Sequence, residues 1–398
     1  MEKACLKNAK KYFLQMQKDR RYLHKNAEIG FELPKTAAYV ETRLKELGYT
    51  PKRVSRCAII AGIGQGKDGI LLRADMDALP IKERSGEPFA CKVGYMHACG
   101  HDLHAAMLLG AAAILREQET KLQTRVRLLF QPAEERLEGA KECVRLGVLE
   151  GINAATMLHV LPSMPFKSGT LIVSSGGVSA PAADFFDITV TGKGCHGSSP
   201  WQGVDGLLVG AKIVSALEVL SSREISPLAP TTLTIGKFQA GDAGNVIAAK
   251  ALLSGTLRSL DEKAQEYAKK RLQEISQGVA KTLRARARVQ FRSGCPCLQN
   301  DEKVSDFALG VAKEAVGKEK VIPSSELPKG GVGGSEDFAY IAQKIPSVMV
   351  GICAGSRGQG FDEPLHSPRV RFDEECMPYG AAYLAAFALG AETLLKSL

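Results

Sequence analysis

The order of apolar and polar positions predicts an α/β fold for the first part of the chain. Short apolar runs that predict strands are CAIIAGIG (57–64), GILLRADMDALP (69–80), RVRLLFQ (125–131) and AATMLHVLP (154–162). Amphipathic spacing predicts helices over 3–23 and 34–47. Two further helices are predicted, over 102–118, which is rich in alanine and leucine, and over 137–146. Strands that alternate with helices predict a mixed or parallel sheet covered on both faces.

The pattern changes near residue 183. The strand DFFDITVTGKG is followed by a helix (204–222), two strands, a long helix (261–284) and the strand RARVQFRSG. This β-α-β-β-α-β order predicts a ferredoxin-like α+β domain over 183–294, inserted into a larger domain formed by 1–182 and 295–398. Further elements of the larger domain are helices over 302–316, 335–344 and 377–396 and the strand SVMVGICA.

The composition of the chain argues against a nucleic-acid-binding, a membrane-spanning or a secreted protein. The chain has 398 residues and a net charge of +9, but its basic and acidic residues are interleaved, so we expect no nucleic-acid partner. No run of about 18 apolar residues occurs, so no membrane-spanning helix is expected. The charged N-terminal segment lacks the apolar core of a signal peptide, and the ten scattered cysteines favour free thiols or ligands. A cytoplasmic protein is therefore expected.

Three of the seven histidines lie within eight residues in the segment MHACGHDLHAAMLLG. His97, His101 and His104 surround Cys99 immediately before a predicted helix. The cluster is either part of a metal site or a chance grouping of packing residues. His97 and His104 are expected to pack or to support ligands.

Other potential ligands lie where predicted strands end, as expected for a site at the carboxyl ends of the strands. They are Asp75, Asp77, Glu134, Glu135 and His159, with His366 in a loop before a proline. Each has an ordinary structural explanation alone, such as a helix-start acid, a turn residue or a core histidine.

Taken together, these residues favour a metal site. The nitrogen, sulfur and oxygen donors suited to a transition metal are Cys99, His101, Glu135, His159 and His366. Five donors exceed one closed tetrahedral site and suit two metals that share a ligand. We assign Glu135 as a ligand and Glu134 as the general base for a metal-activated water, while Asp77 orients a ligand histidine.

Motifs along nearly the whole chain resemble the aminoacylase/carboxypeptidase family of dinuclear metallopeptidases. They are RADMDALP, MHACGHDLH, QPAEE, LHV, GKGCHGSSP, GNVIAAKALLSGTLRS, GSEDFAY and PLHSP. The nearest branch is similar to hippurate hydrolase, N-acetyldiaminopimelate deacetylase and the indole-acetyl-amino-acid hydrolases. The wider family's HxD reads Asp75-Met76-Asp77 here, and its NVIP reads NVIA.

The resemblance implies a catalytic metallopeptidase domain with an inserted lid, often used for dimerisation. It implies the same five ligands, with Cys99 bridging two divalent ions, zinc or manganese first and cobalt or nickel as alternatives. It also implies that His196 in the lid polarises the scissile carbonyl and that Asn245 and Arg258 hold the substrate. His196 could instead be a turn residue, and Arg258 a surface strand residue.

The predicted function is a metal-dependent amidohydrolase that cleaves N-acyl-amino acids or short peptides and forms a homodimer. The alternatives are a dipeptidase or carboxypeptidase on the same scaffold, a non-catalytic metal-binding protein and a structural zinc protein. The glycine run at 330–334 could be a substrate loop or a linker.

Overall fold

The computed structural model describes residues 2–327 and 334–398, and side chains from residue 5 onward. The glycine run at 330–334 therefore falls largely outside the described residues. Among the described helices, none has the length and apolar character needed to cross a membrane.

The described part of the chain contains both α-helices and β-strands. The α-helices are α1 (Glu2–Lys11), α2 (Phe13–Lys25), α3 (Pro34–Glu46), α4 (His101–Glu117), α5 (Gly139–Arg145), α6 (Gly206–Leu217), α7 (Glu262–Thr282), α8 (Glu302–Val316), α9 (Ala339–Ala342), α10 (Met377–Leu389) and α11 (Ala391–Ser397). The strands are β1 (Lys52–Arg53), β2 (Ile59–Ile63), β3 (Gly69–Asp75), β4 (Arg125–Gln131), β5 (Ala154–Leu161), β6 (Leu171–Val173), β7 (Gly177–Ala180), β8 (Ala182–Thr191), β9 (Cys195–His196), β10 (Thr231–Ala240), β11 (Val246–Ile247), β12 (Lys250–Ser259), β13 (Arg286–Cys295), β14 (Leu298–Asn300), β15 (Val321–Pro323) and β16 (Ser347–Cys353).

The described residues form two compact units. The first contains residues up to Ser179, those from Gln299 to Leu327 and those from Asp337 onward. Its eight-stranded sheet has the order β1-β2-β4-β3-β5-β16-β6-β15. The central strands β4, β3, β5 and β16 are parallel, and antiparallel pairs occur towards both edges. The predicted α/β class with a mixed sheet is confirmed.

Parallel pairing fixes where the candidate site lies in the first unit. Strands β3, β4 and β5 are adjacent, so their carboxyl ends meet at one edge of the sheet. Helix α4 connects β3 to β4 and is buried at every position from His101 to Leu115. It packs against α2, α10 and β3, which explains why its segment 105–115 is apolar all round rather than amphipathic.

The second unit comprises residues Ala180 to Leu298 together with Gly334–Glu336. Its four-stranded antiparallel sheet has the order β10-β12-β8-β13. Helices α6 and α7 cover one face, and the core between them and the sheet includes Phe186, Ile188 and Leu253. A separate two-stranded ladder pairs β9 with β11.

Three predicted helices differ from those observed. The helix expected over 3–23 is interrupted at Tyr12, whose hydroxyl donates to Glu117 at 2.7 Å. The closing helix is interrupted at Gly390. The helix expected over 335–344 contracts to α9, because the buried Asp337 side chain accepts hydrogen bonds from other elements. Tertiary contacts override local helix propensity at Tyr12 and Asp337, whereas glycine itself has a low helix propensity.

Candidate active site

The segment between β3 and α4 needs a glycine at its tightest point. Gly100 adopts φ 82°, and a Cβ there would lie 2.3 Å from Val160 Cγ2. Only glycine fits this left-handed backbone and this close approach to β5. Gly100 therefore brings Cys99 and His101, at the start of α4, against the end of the strand that carries His159.

The five predicted ligands form two groups that share one residue. Cys99 lies with His101 and His159, and also with Glu135 and His366; within each group the potential ligand atoms lie within 4.8 Å of one another. Cys99 Sγ is 3.6 Å from His159 Nε2, and His366 Nε2 is 3.5 Å from Glu135 Oε1. The loop of His366 joins the cluster through its backbone N–H, which donates to the Ala98 carbonyl.

Backbone carbonyls orient two of the imidazoles. His101 Nδ1 lies 2.8 Å from the Asp77 carbonyl oxygen, and His159 Nδ1 lies 2.9 Å from the Val160 carbonyl oxygen. A carbonyl can only accept, so each Nδ1 carries a proton. In the neutral rings each Nε2 then keeps its lone pair, as a metal ligand requires.

Two buried polar atoms without hydrogen-bond partners in the described part of the chain are suited to bind a cation. Among the described residues, neither His101 Nε2 nor Glu135 Oε1 has a hydrogen-bond partner. These two atoms are 3.9 Å apart. Buried polar atoms normally have partners, and imidazole, thiolate and carboxylate suit zinc-like ions. The residues present therefore fit two divalent ions, with Cys99 available to both groups.

The ionisation of the cluster favours anionic sulfur. Burial and the Glu135 carboxylate would raise the pKa of Cys99, but the adjacent His159 and His101 lower it to about 6. Contacts with Cys99 and Glu135 raise the pKa of His366 to about 10. The thiolate is the form of cysteine that binds metal.

Glu134 and Glu135 lie on a constrained turn after β4. The Asp77 carboxylate accepts from the Glu134 N–H at 3.0 Å and from the Glu135 N–H at 3.2 Å. Ala133 and Leu137, on either side of the turn, adopt left-handed φ values of 59° and 55°. Asp77 thus supports His101 mainly through its backbone carbonyl, while its carboxylate holds the glutamate pair.

The two remaining histidines of the cluster have different surroundings. His104 Nδ1 lies 2.5 Å from Asp75 Oδ1, and its Nε2 accepts from the Val160 N–H at 2.9 Å. Both ring nitrogens are thus engaged, which leaves His104 without a lone pair for a metal. His97 is buried, and burial lowers its pKa to about 3.

Some supporting residues were missed in the sequence. Arg73 on β3 is fully buried and donates to Asp75 Oδ2 at 2.7 Å. Gln131 and Asp337 are buried beside it. The signal was a lone arginine inside the apolar run GILLRAD, because an arginine is rarely fully buried without a specific partner.

The other predicted residues lie in the second unit. His196 on β9 is exposed, and its Nδ1 accepts from the Ser198 N–H at 3.1 Å. Neutral His196 therefore carries its proton on Nε2 and can donate from there. Asn245 lies close to His196 in space, because the Asn245 backbone carbonyl accepts from the Gly197 N–H at 2.7 Å.

Arg258 on β12 is partly buried within the second unit. Its Nη1 donates to Ser335 Oγ at 2.8 Å, and its guanidinium lies over the Phe185 ring at 5.2 Å. Burial lowers the pKa of Arg258. No carboxylate among the described residues forms an ion pair with it.

Comparisons with known proteins agree with this chemistry. The chain is 36% identical over 370 residues to N-acetyl-L-cysteine deacetylase of Bacillus subtilis, covering 92% of this chain and 85% of that protein. It is 35% identical over 396 residues to IAA-amino acid hydrolase ILR1-like 4 of Arabidopsis thaliana, covering 95% and 87%.

A similar solved structure is that of the Bacillus subtilis YxeP protein, described as a dinuclear metal binding peptidase from the M20 family. Its TM-score is 0.78 at 30% identity, and the match covers 96% of this chain and 99% of that one. The model of peptidase family M20/M25/M40 matches residues 71–390. The chain belongs to peptidase family M20/M25/M40.

Proposed function

We propose that this protein is a metal-dependent amidohydrolase that cleaves N-acyl-amino acids into a carboxylic acid and an amino acid. The observation that carries the proposal is the pair of donor groups that share Cys99, with Glu134 beside them. The relatives named as an N-acetyl-L-cysteine deacetylase and an IAA-amino acid hydrolase support an amide between an acyl group and an amino acid as the bond cleaved.

The proposed metal ligands are Cys99, His101, Glu135, His159 and His366, holding two divalent ions with zinc or manganese as the first candidates. When bound, such ions supply Lewis acidity that polarises a carbonyl and acidifies water. The imidazole and thiolate donors favour zinc, since carboxylate-rich sites suit manganese better.

Glu134 is the proposed proton carrier. Its side chain is 7% exposed, and its Oε2 lies 4.0 Å from His101 Nε2, next to the donor groups. It accepts a proton from the attacking water and returns that proton to the leaving amine nitrogen. The Asp77 carboxylate fixes the positions of Glu134 and Glu135, because it accepts hydrogen bonds from both of their backbone N–H groups.

The second unit is the proposed ferredoxin-like lid, spanning about 183–294. His196, with Nε2–H as its donor, would stabilise the developing negative charge on the carbonyl oxygen. Asn245 would bind the substrate beside it. Arg258, which has no described ion-pair partner, would bind the substrate carboxylate through its guanidinium.

The lid is also the proposed dimer interface. Strand β10 is an edge strand of its sheet, and an open edge can pair with another chain. Leu207, Leu208 and Phe238, on α6 and β10, are exposed large apolar side chains. Light scattering of the wild type and of Phe238→Glu tests this proposal: the wild type should have a dimer mass and the variant a monomer mass.

The first experiment compares the wild type with Glu134→Ala on a panel of N-acetyl-amino acids, N-benzoyl-amino acids and dipeptides, with metal content determined for both. The wild type should cleave acylated amino acids, a chelator should abolish cleavage, and Glu134→Ala should bind metal but be inactive. Preferential cleavage of dipeptides would favour a dipeptidase. An active Glu134→Ala would contradict the assigned base, and unfolding on chelation would favour a structural metal.

A further inference from the structure

A buried ionic network adjoins the glutamate pair in the first unit. Arg73 donates to Asp75 Oδ2 at 2.7 Å, to Asp337 Oδ1 at 2.8 Å and to Gln131 Oε1 at 3.0 Å. All four side chains are at most 1% exposed. A single guanidinium thus links the ends of β3 and β4 to the segment before α9, and its planar fork suits this multiple contact.

Asp337 is held by more than its ion pair. Gln131 Nε2 donates to its two carboxylate oxygens at 2.8 and 3.0 Å, and the Ala140 N–H donates to Oδ2 at 2.8 Å. Each oxygen therefore accepts from two N–H groups, which leaves the carboxylate little capacity to bind a cation. This side chain instead fixes the position of its own backbone.

The backbone N–H of Asp337 faces the proposed base. It lies 3.4 Å from Glu134 Oε1, whereas Glu134 Oε2 is the oxygen near His101. The two oxygens of Glu134 thus have different neighbours: one faces a fixed donor and the other faces the cluster of ligands. A fixed donor on one oxygen restricts rotation of the carboxylate.

We propose that Asp337 is a positioning residue for the hydrolytic reaction. It orients the Glu134 carboxylate through its backbone N–H, and Arg73 and Gln131 hold it in place. The inference rests on the proposed function, because it requires Glu134 to carry the proton. A displaced base slows proton transfer but leaves substrate binding intact, since positioning errors of about 1 Å can cost roughly 100-fold in rate.

The test is steady-state kinetics of Asp337→Asn on the best N-acyl-amino acid, with metal content and thermal unfolding measured in parallel. Asparagine removes the charge that faces Arg73 and presents an N–H group to one of the donors. We expect kcat to fall about 10- to 100-fold, with KM and metal content close to those of the wild type.

Asp19→Asn is the matched control. Asp19 is 1% exposed in the same unit and accepts from Gln15, Tyr39 and Arg43, all on α2 or α3. The Asp19→Asn variant should lose about as much stability as Asp337→Asn but keep the kcat of the wild type. A fall in kcat equal to that of Asp337→Asn would make the effect a general result of destabilisation and would overturn the inference, as would an unchanged kcat in Asp337→Asn.

Gln131→Met is a second variant in case Asp337→Asn does not fold. It removes two hydrogen bonds to Asp337 without leaving the Arg73 charge unpaired, so a smaller fall in kcat at unchanged KM is expected. An unchanged kcat there also contradicts the inference. Inactivity of the wild type on the whole panel overturns the proposed function, and this inference with it.

Discussion

Cys99 Sγ and His159 Nε2 lie 3.6 Å apart, although 60 positions separate the two residues in the sequence. The contact joins the segment before α4 to the end of β5. It places a sulfur with a lowered pKa next to a ring nitrogen that carries a lone pair rather than a proton in the neutral ring. Cys99 is also the residue that the two donor groups have in common.

We predict that Cys99→Ala purifies with much less metal than the wild type, because removing the shared donor weakens both groups. Metal content by mass spectrometry measures this. Cys143→Ala is the control, since Cys143 on α5 is also buried and belongs to neither group. Full occupancy in Cys99→Ala would show that the thiolate is dispensable for metal binding.

Asp77→Asn should weaken metal binding while the protein remains folded. The substitution leaves one acceptor oxygen for the two N–H groups of Glu134 and Glu135, so the turn that carries the ligand Glu135 loosens. Loss of such a supporting contact typically costs about 10- to 100-fold in metal affinity. Competition with a chelator measures the affinity, and an unchanged value would mean that the turn keeps its shape without Asp77.

His196→Ala should lower kcat by about 100-fold or more, as expected for loss of a donor to the developing oxyanion, and leave the metal content unchanged. Ser198→Ala is the control because the backbone N–H of Ser198 still donates to His196 Nδ1 and preserves the tautomer. Its effect on kcat should be severalfold at most. Equal losses in both variants would show that the turn, rather than the imidazole, matters.

Stability should depend on pH through His24. Burial would lower its pKa, but the carboxylates of Asp102 and Glu83 raise it from 6.5 to about 9. The folded state thus holds the proton more tightly than the unfolded state does. The stabilisation is complete below pH 6.5 and is lost as the pH rises to about 9. A shift of this size corresponds to about 3 kcal/mol.

Urea unfolding of the wild type and of His24→Gln between pH 6 and 10 tests this prediction. The wild type should lose stability with rising pH, whereas the variant should follow a flatter curve. The two proteins should differ most at pH 6 and least at pH 10. Parallel curves would mean that folding does not shift the pKa of His24.

The sequence alone could predict that the site residues lie close together, because their proximity follows from the order of the strands in the sheet. Asp75, Glu134 and His159 occur at or just after the ends of three predicted strands, and parallel neighbours in a sheet end at the same edge. The residue types then indicated a transition metal. Periodicity and donor chemistry are local properties of a sequence, so both can be recognised before the structure is known.

Other features depend on contacts that no local pattern encodes. The carboxylate of Asp77 binds the backbone of the glutamate pair, while its carbonyl orients His101. Arg73 contacts Asp337, which lies 264 positions further along the chain. The contraction of the predicted helix over 335–344 has the same origin, because the Asp337 side chain accepts hydrogen bonds from Arg73, Gln131 and Ala140, which lie outside its own segment.

Residues with a left-handed backbone conformation lie near Glu134 and Glu135, and substitutions at these positions would affect stability and activity in opposite directions. Ala133, Leu137 and His366 all have positive φ values, a conformation that costs non-glycine residues about 1–2 kcal/mol. Glycine at 133 or 137 would relieve that local cost but free the turn that holds Glu134. Selection for heat resistance and selection for turnover would therefore favour different residues at these positions.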